Sequence, residues 1–365
     1  MTSDSEMIAA LERIVGLSSE SGNEGDAVRA FVEIAEGWGL RGEIDGVGNG
    51  IATRPALEER RSRVVLLGHV DTVPGEIEVR LEGDVLHGRG SVDAKGPLMA
   101  MLAAASRALA PSSELVVIAA VGEETTESPG ANAVVERYRP DACIIGEPSG
   151  WDGVTLGYKG RLVVHAKCVR SMAHTAGPDG SARDLLMSWW GRVLSRVVHA
   201  NEDAAGAFDS VQATAHEWGD DGAWDRDGAW LRAGFRLPPR MTPEAWRELV
   251  DGESTDELEL EWRGGERAHR VSRSDPVVAA LSEAIRSEGA RPRHKVKTGT
   301  ADFNVVGPVW GCPIAAYGPG DSSLDHTPDE RLSVTEFLKS VSVLERALGS
   351  LVERLGAEHA SSIVT

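Results

Sequence analysis

Three short apolar, largely β-branched runs punctuate the first half of the chain, and each breaks into polar residues at its end. Val64–Asp71 (VVLLGHVD) closes on His69 and Asp71, Glu114–Glu124 (ELVVIAAVGEE) on two adjacent acids, and Ala142–Gly150 (ACIIGEPSG) on Glu147 and Pro148. Continuous apolar runs of this length predict strands buried on both faces. Between them the spacing is helical. Residues 4–40 predict two helices, the second with Ala27, Ala30, Phe31, Ile34 and Ala35 on one face and Ser21 as its cap. Pro97–Leu109 predicts a helix with Pro97 in its first turn. Alternating strands and helices predict an α/β sheet, where ligands gather at the carboxyl ends of the strands. All three polar clusters lie at such ends.

The pattern changes near Tyr158. Arg161–Val169 predicts a strand, and Ala182–His199 an amphipathic helix carrying Leu185, Leu186, Trp189 and Leu194. Two more strands, Ser210–Trp218 and Ala229–Leu237, flank the charged loop GDDGAWDRDG; a short helix follows Thr242, and Glu257–Arg263 predicts a last strand. This makes a small α+β unit. Afterwards Val277–Gly289 returns to helix, and Trp310–Gly320 predicts a buried strand running into a Gly-rich loop. The expected organisation is a discontinuous main domain, residues 1–158 and 271–365, interrupted by an inserted unit at 159–270.

Bulk properties narrow the field. A chain of 365 residues, 41% hydrophobic and 26% charged, fits two ordinary globular domains. Its net charge of −19 argues against a general nucleic-acid binder, which needs clustered Lys and Arg, and reads as solubility. Cys143, Cys168 and Cys312 are few and widely spaced, which fits a reducing compartment and neither a disulfide framework nor a thiolate zinc site. The start lacks a basic patch followed by an apolar run, and no stretch approaches the ~18 apolar residues of a membrane helix. The expectation is a cytoplasmic protein with no nucleic-acid or membrane partner.

The chemistry rests on accumulation. Histidine and carboxylates suit Zn²⁺ or a similar ion. Asp71, two residues after His69, is placed to accept from the second ring nitrogen and fix the tautomer. Asp93 lies in GRGSVDAKG, whose glycines allow tight backbone paths around one acid. Glu123 and Glu124 are adjacent acids after an apolar strand, a costly arrangement without a cation beside them. Taken singly, a His-x-Asp pair also fits a structural hydrogen bond, a Glu-Glu pair a solvated surface, and His326 a turn. What unites them is that each cluster ends an apolar strand of one inferred sheet. GRGSVDAKG lacks the spacing of a phosphate loop.

Five motifs in order, GHVDTVPG (Gly68–Gly75), GRGSVDAKGPL (Gly88–Leu98), VGEETTESPGA (Val121–Ala131), GEPSG (Gly146–Gly150) and YGPGDSSLDHTPDE (Tyr317–Glu330), resemble those of the M20 metallopeptidase family. The fold this implies is zinc-peptidase-like: a catalytic domain with a mixed sheet flanked by helices, plus an inserted α+β sandwich lid that dimerises. The resemblance implies two Zn²⁺ ions, with Co²⁺ able to substitute, bridged by Asp93. His69 and Glu147 complete one site, Glu124 and His326 the other. Glu123 is the implied general base and Asp71 orients His69. In the inserted unit, His174 in MAHTAGP resembles the lid histidine that reaches a partner's site, and Arg236 in GFRLPPR the arginine that pairs with a substrate carboxylate. Thr300, in KTGTADFN, resembles a pocket-lining residue, with Lys297 as a second carboxylate anchor or a solvated lysine.

Within the family, GEPSGW, KTGTADFN and AYGPGDSS are most similar to the branch that releases lysine or ornithine in amino-acid biosynthesis. Its substrates are a small N-acyl amino acid or a conjugate on an acidic amino-group carrier protein. Basic RPRHKVK (Arg291–Lys297), with Lys159 and Arg161, is a candidate steering patch for such a carrier, or ordinary surface charge. Dipeptidase, carboxypeptidase and succinyl-diaminopimelate desuccinylase activities share every implied ligand; a non-catalytic binding homologue is the non-enzyme alternative. A homodimer through the lid is expected, because its helix carries Trp189 and Trp190, which a small domain does not readily bury alone.

Overall fold

A computed structural model describes residues 2–172 and 180–362, with side chains as far as Leu355. The chain divides into two compact units, one of Met1–Gly157, Val271–Val296 and Val305–Thr365, the other of Tyr158–Arg270 and Lys297–Asn304.

The first unit is built on a mixed sheet. Its strands run Arg41–Ile44, Gly50–Arg54, Ser113–Ala120, Ser62–His69, Ala142–Gly146, Ile314–Ala316 and Gly153–Tyr158 in spatial order. The middle of the sheet is parallel: Ser62–His69 pairs with Ser113–Ala120 on one side and Ala142–Gly146 on the other. Register sets His69 beside Ala120 and Gly68 beside Gly146, so the three runs end along one edge. Val64–Leu67 is fully buried, which explains why the run shows no alternation. Gly50–Arg54 and Gly153–Tyr158 pair antiparallel with their neighbours.

Helix Lys95–Arg107 lies against the central strands and also against helices Asp4–Val15 and Val334–Ser362. Enclosed in this way, it buries every residue from Lys95 to Ala105 and has no polar face. Small residues let it sit close: a Cβ on Gly146 would meet the Met101 Cε at 2.4 Å.

The second unit is an antiparallel sheet in the order Gln212–Asp220, Arg226–Leu237, Gly160–Ser171, Leu258–Glu266. One face alternates Leu162, Val164, Ala166 and Cys168 with Ala229, Leu231, Ala233 and Phe235, all buried in one core with residues of helices Ala182–Ala200 and Pro243–Asp251. Ser181 and Asp184 form a capping box on the first of these helices, and the Thr242 hydroxyl accepts from Ala245 N–H on the second. Trp189 is fully buried here and Trp190 partly so, against the expectation that this unit leaves them uncovered. The exposed apolar residues on the helix are instead Met187, Leu194 and Val198.

Other sequence expectations need correction. Trp310–Gly320 is not one strand: Trp310 closes a helix, Asp302–Trp310, and the strand is only Ile314–Ala316. Gly307 and Pro308 inside that helix hide its period. Strands Arg41–Ile44 and Gly50–Arg54 and helices Pro129–Arg137 and Val334–Ser362 were not anticipated. Among the described residues, no helix is long and apolar enough to cross a membrane.

The strand Ile314–Ala316 leads to Gly318, where a Cβ would stand 2.5 Å from Pro97 Cβ and 3.0 Å from the Glu147 carbonyl oxygen. Neither neighbour is the end of a flexible side chain. Gly318→Ala is expected to cost about 1–3 kcal/mol, the range for overpacking, read from the urea midpoint at constant m-value.

Candidate metal centre

His69 is the last residue of its strand, and Val70 N–H still donates to the Ala120 carbonyl at 2.9 Å. The chain then turns so that Asp71 lies beneath the imidazole. His69 Nδ1 is 3.0 Å from the Asp71 carbonyl oxygen and 3.5 Å from its Oδ1. With Nδ1–H donating there, Nε2 is left free to accept, and it faces Asp93 Oδ1 at 3.2 Å and Glu147 Oε1 at 3.9 Å.

Asp71 has no exposed surface, and its oxygens are committed. Oδ1 accepts from Glu123 N–H at 3.1 Å; Oδ2 accepts from Glu124 N–H at 3.0 Å and from Ser21 Oγ–H at 2.8 Å. Burial pushes this carboxyl up, but the His69 hydrogen bond and charge, Ser21 and the Glu124 N–H outweigh it and hold the group below its ordinary range. Asp71 therefore holds the first histidine chiefly through its main-chain carbonyl and the backbone of the paired glutamates through its carboxylate. Ser21 is not the helix cap the sequence predicted; helix Gly25–Gly37 has Glu24 at the cap position with no side-chain cap bond.

Asp93 is presented by a loop that needs glycine: Gly90 has φ +79° and a Cβ there would lie 2.7 Å from Thr72 Cγ2. Glu330, almost fully buried, holds that loop. Its Oε1 accepts from Val92 N–H at 2.9 Å and Asp93 N–H at 3.0 Å, while Oε2 takes Arg89 Nη1–H at 2.8 Å. Buried Lys95, its pKa pushed down to about 8 by desolvation, donates to the Leu17 carbonyl at 2.7 Å.

Asp93 turns its second oxygen, Oδ2, to His326 Nε2 at 3.0 Å, and the same nitrogen is 2.9 Å from Glu124 Oε1. The carboxylates draw positive charge onto both rings. Hydrogen bonds to Asp93 and Glu124 push His326 up to about 10; His69 is desolvated, yet Asp71, Asp93 and Glu123 raise it well above its usual value. Desolvation opposes ionisation of Asp93, but the two histidines hold it far below the ordinary carboxylate range.

Among the described residues, three sets of donor atoms lie within 4.8 Å of one another: His69, Asp93 and Glu147; Asp93, Glu124 and His326; and His69, Glu123 and Glu124. Their chemistry fits a divalent ion with nitrogen and oxygen ligands. The His–carboxylate separations of 2.9–3.9 Å bracket the about 3.3 Å edge of a tetrahedron with bonds near 2.0 Å. Asp93 belongs to two of the sets. The protein has a possible metal site at the strand ends of its first unit.

Not every residue singled out in the sequence falls there. Arg236, Thr300 and Lys297 belong to the second unit, where Arg236 Nη1–H donates to Thr300 Oγ1 at 2.7 Å and Lys297 Nζ lies 5.7 Å from the Tyr158 ring centre. His174 lies outside the described residues. The basic stretch is largely engaged: Arg293 pairs with Asp152, Lys295 donates to the Ser149 carbonyl, Arg161 pairs with Glu266, and Lys159 is buried on the Ala207 carbonyl. Arg291 remains exposed. Sequence reasoning missed Glu330 and Lys95, although Glu330 ends the same motif that supplies His326.

The site and fold together define a class. The chain belongs to peptidase family M20/M25/M40, whose model matches residues 65–350. Among individual relatives, it is 43% identical to the [LysW]-lysine hydrolase of Deinococcus radiodurans, over 94% of this chain and 96% of the relative. It is 27% identical to the [LysW]-lysine/[LysW]-ornithine hydrolase of Saccharolobus islandicus strain Y.N.15.51, over 93% and 94%. Its fold matches that of the M20 metallo-carboxypeptidase Sso-CP2 of Sulfolobus solfataricus with a TM-score of 0.78 at 16% identity, covering 95% of this chain and 99% of the other. The dinuclear metal-binding M20 peptidase YXEP of Bacillus subtilis matches with a TM-score of 0.67 at 13% identity, covering 96% and 97%.

Glu330→Ala takes the counter-charge from Arg89 and leaves the N–H groups of Val92 and Asp93 without their acceptor. It is expected to cost about 3–5 kcal/mol in urea unfolding, the range for one lost partner of a buried pair.

Proposed function

We propose that this chain is a dinuclear-metal amidohydrolase that releases lysine or ornithine, in amino-acid biosynthesis, from a precursor whose amino group is blocked by an acyl group or a carrier protein. The observation that carries the reading is Asp93, whose two oxygens face two different histidines, each beside a further carboxylate. His69, Asp93 and Glu147 would hold one ion, and Asp93, Glu124 and His326 the other. Zn²⁺ suits these donors and Co²⁺ can replace it. Bound there, the ions supply a water of lowered pKa and a polarised amide carbonyl.

The rest is the work of side chains. Glu123, grouped with His69 and Glu124, takes the proton of the attacking water and returns it to the leaving amine nitrogen. Asp71 keeps His69 oriented and fixes the Glu123 backbone. The blocking group is read as a carrier protein because relatives of 43% and 27% identity are named for [LysW]-linked substrates. Of the basic stretch that would steer an acidic carrier, Arg291 is exposed. Arg236, braced by Thr300, is the proposed anchor for a substrate carboxylate, with Lys297 in support. Free Cys143, Cys168 and Cys312 favour the cytoplasm. The proposed assembly is a homodimer through the inserted unit, whose helix exposes Met187, Leu194 and Val198, with His174 acting across the interface.

Purified protein loaded with Zn²⁺ or Co²⁺ is expected to bind two ions per chain and to turn over carrier-linked lysine or ornithine ahead of N2-acetyl-lysine, N2-acetyl-ornithine, N-succinyl-diaminopimelate and dipeptides. Glu123→Gln keeps the metal content and loses turnover by at least roughly 10²–10⁴-fold, the general acid–base contribution. Full metal with near-normal turnover removes Glu123 from the mechanism.

Mixing inactive His174→Ala and Glu123→Gln subunits is expected to restore up to about one quarter of wild-type sites, since half the random dimers carry one site with both residues intact. No recovery after verified exchange, or a fully active monomer, removes the shared site and leaves the metal chemistry standing.

A further inference from the structure

Residues 17–21, between helices Asp4–Val15 and Gly25–Gly37, are bound to the metal centre from outside the strand-end loops. Lys95 Nζ–H donates to the Leu17 carbonyl at 2.7 Å, Ser19 Oγ–H to the Val70 carbonyl at 2.7 Å, and Thr72 N–H to the Ser19 carbonyl at 2.9 Å. Ser19 is fully buried. The strap ends in Ser21, whose hydroxyl donates to Asp71 Oδ2 at 2.8 Å.

Besides His69, which Asp71 orients, the other donors to its carboxylate are the N–H groups of Glu123 and Glu124, the very backbone that Asp71 holds. Groups that move with a loop do not fix the carboxylate that positions that loop. Ser21 comes from a different element, and its bond to an ionised acceptor is of the stronger, charge-assisted kind. We propose that Ser21 is a positioning residue: through the Asp71 carboxylate it sets the Glu123–Glu124 backbone and, across the 3.5 Å contact of Oδ1 with Nδ1, the orientation of His69. The strap itself is held by Leu17 and Ser19, so removing the Ser21 hydroxyl frees the carboxylate without releasing the strap.

This inference rests on the dinuclear reading, and its test separates the two. Zn²⁺ affinity is measured by chelator competition for wild type, Ser21→Ala and Ser21→Thr, alongside kcat, KM and the melting temperature in excess chelator. Ser21→Ala is expected to bind at least one ion about 10–100-fold more weakly, the usual effect of losing a partner behind a ligand. Its kcat falls while KM holds, its melting temperature in chelator stays at the wild-type value, and Ser21→Thr, which keeps the hydroxyl, restores affinity and kcat. Wild-type affinity in Ser21→Ala, an equal loss in Ser21→Thr, or a loss matched by a lower melting temperature in chelator overturns the proposal. Wild-type protein that binds no ions overturns the dinuclear reading as well.

Discussion

Asp93, Glu123, Glu124 and Glu147 converge with Asp71 where three parallel strands stop together, and the repulsion among them governs the rest of the site. Within the donor sets, carboxylate oxygens lie no more than 4.8 Å apart. Each such pair costs about 3–4 kcal/mol at the effective dielectric of a protein site. Several such pairs rival the ~5–15 kcal/mol by which a domain is folded. Positive charge among them is therefore a structural requirement. The raised affinity of both histidines for protons expresses the same demand, which a pair of divalent ions meets more fully.

The repulsion also explains why two further carboxylates stand behind the donors. Asp71 and Glu330 are both buried, and each accepts two backbone N–H groups of the loops that carry the donor carboxylates. A loop bearing like charges tends to spread, and a backbone anchored by a buried acceptor does not. The second acceptor is balanced by Arg89 and the first by His69 and Ser21. Polar groups in this interior thus fall into two sets, those turned toward one another at the strand ends and those that hold the first set in place.

The inward-facing set was legible in the sequence because each donor ends a run with an unmistakable pattern. VVLLGH and LVVIAA are buried on both faces, so hydrophobicity marked where each strand stops and the polar residues begin. The supporting set carries no period. Ser21 and Glu24 have the same S-x-x-E spacing as Ser3 and Glu6, yet only the latter pair forms a capping box. Gly22, at φ +93°, turns the chain before the second helix begins, and Ser21 is left facing Asp71. Local pattern cannot separate these cases, since the deciding partner lies 50 residues away. Charge in the sequence left two readings open for a related reason: Arg161, Arg293 and Lys295 fit a patch or ordinary surface charge, and the fold alone gives each its partner.

The second unit applies the same economy to a cation. Thr300 Oγ1 accepts from Arg236 Nη1–H and donates its own O–H to the Lys159 carbonyl at 2.8 Å. Asn304 Nδ2–H donates to the Lys159 carbonyl at 3.2 Å and to the Arg267 carbonyl at 2.8 Å, joining the first and last stretches of the insert. Segment 297–304 is thereby bound to chain more than 25 residues away in sequence at its nearest, and it groups with this unit. An arginine braced in this way is ordered when the protein folds. The about 0.5–1.5 kcal/mol needed to immobilise such a side chain is then no longer charged against substrate binding. In the role proposed for it, Arg236 would discriminate carboxylates by the direction of its guanidinium plane, which a lysine on a flexible stem does not offer.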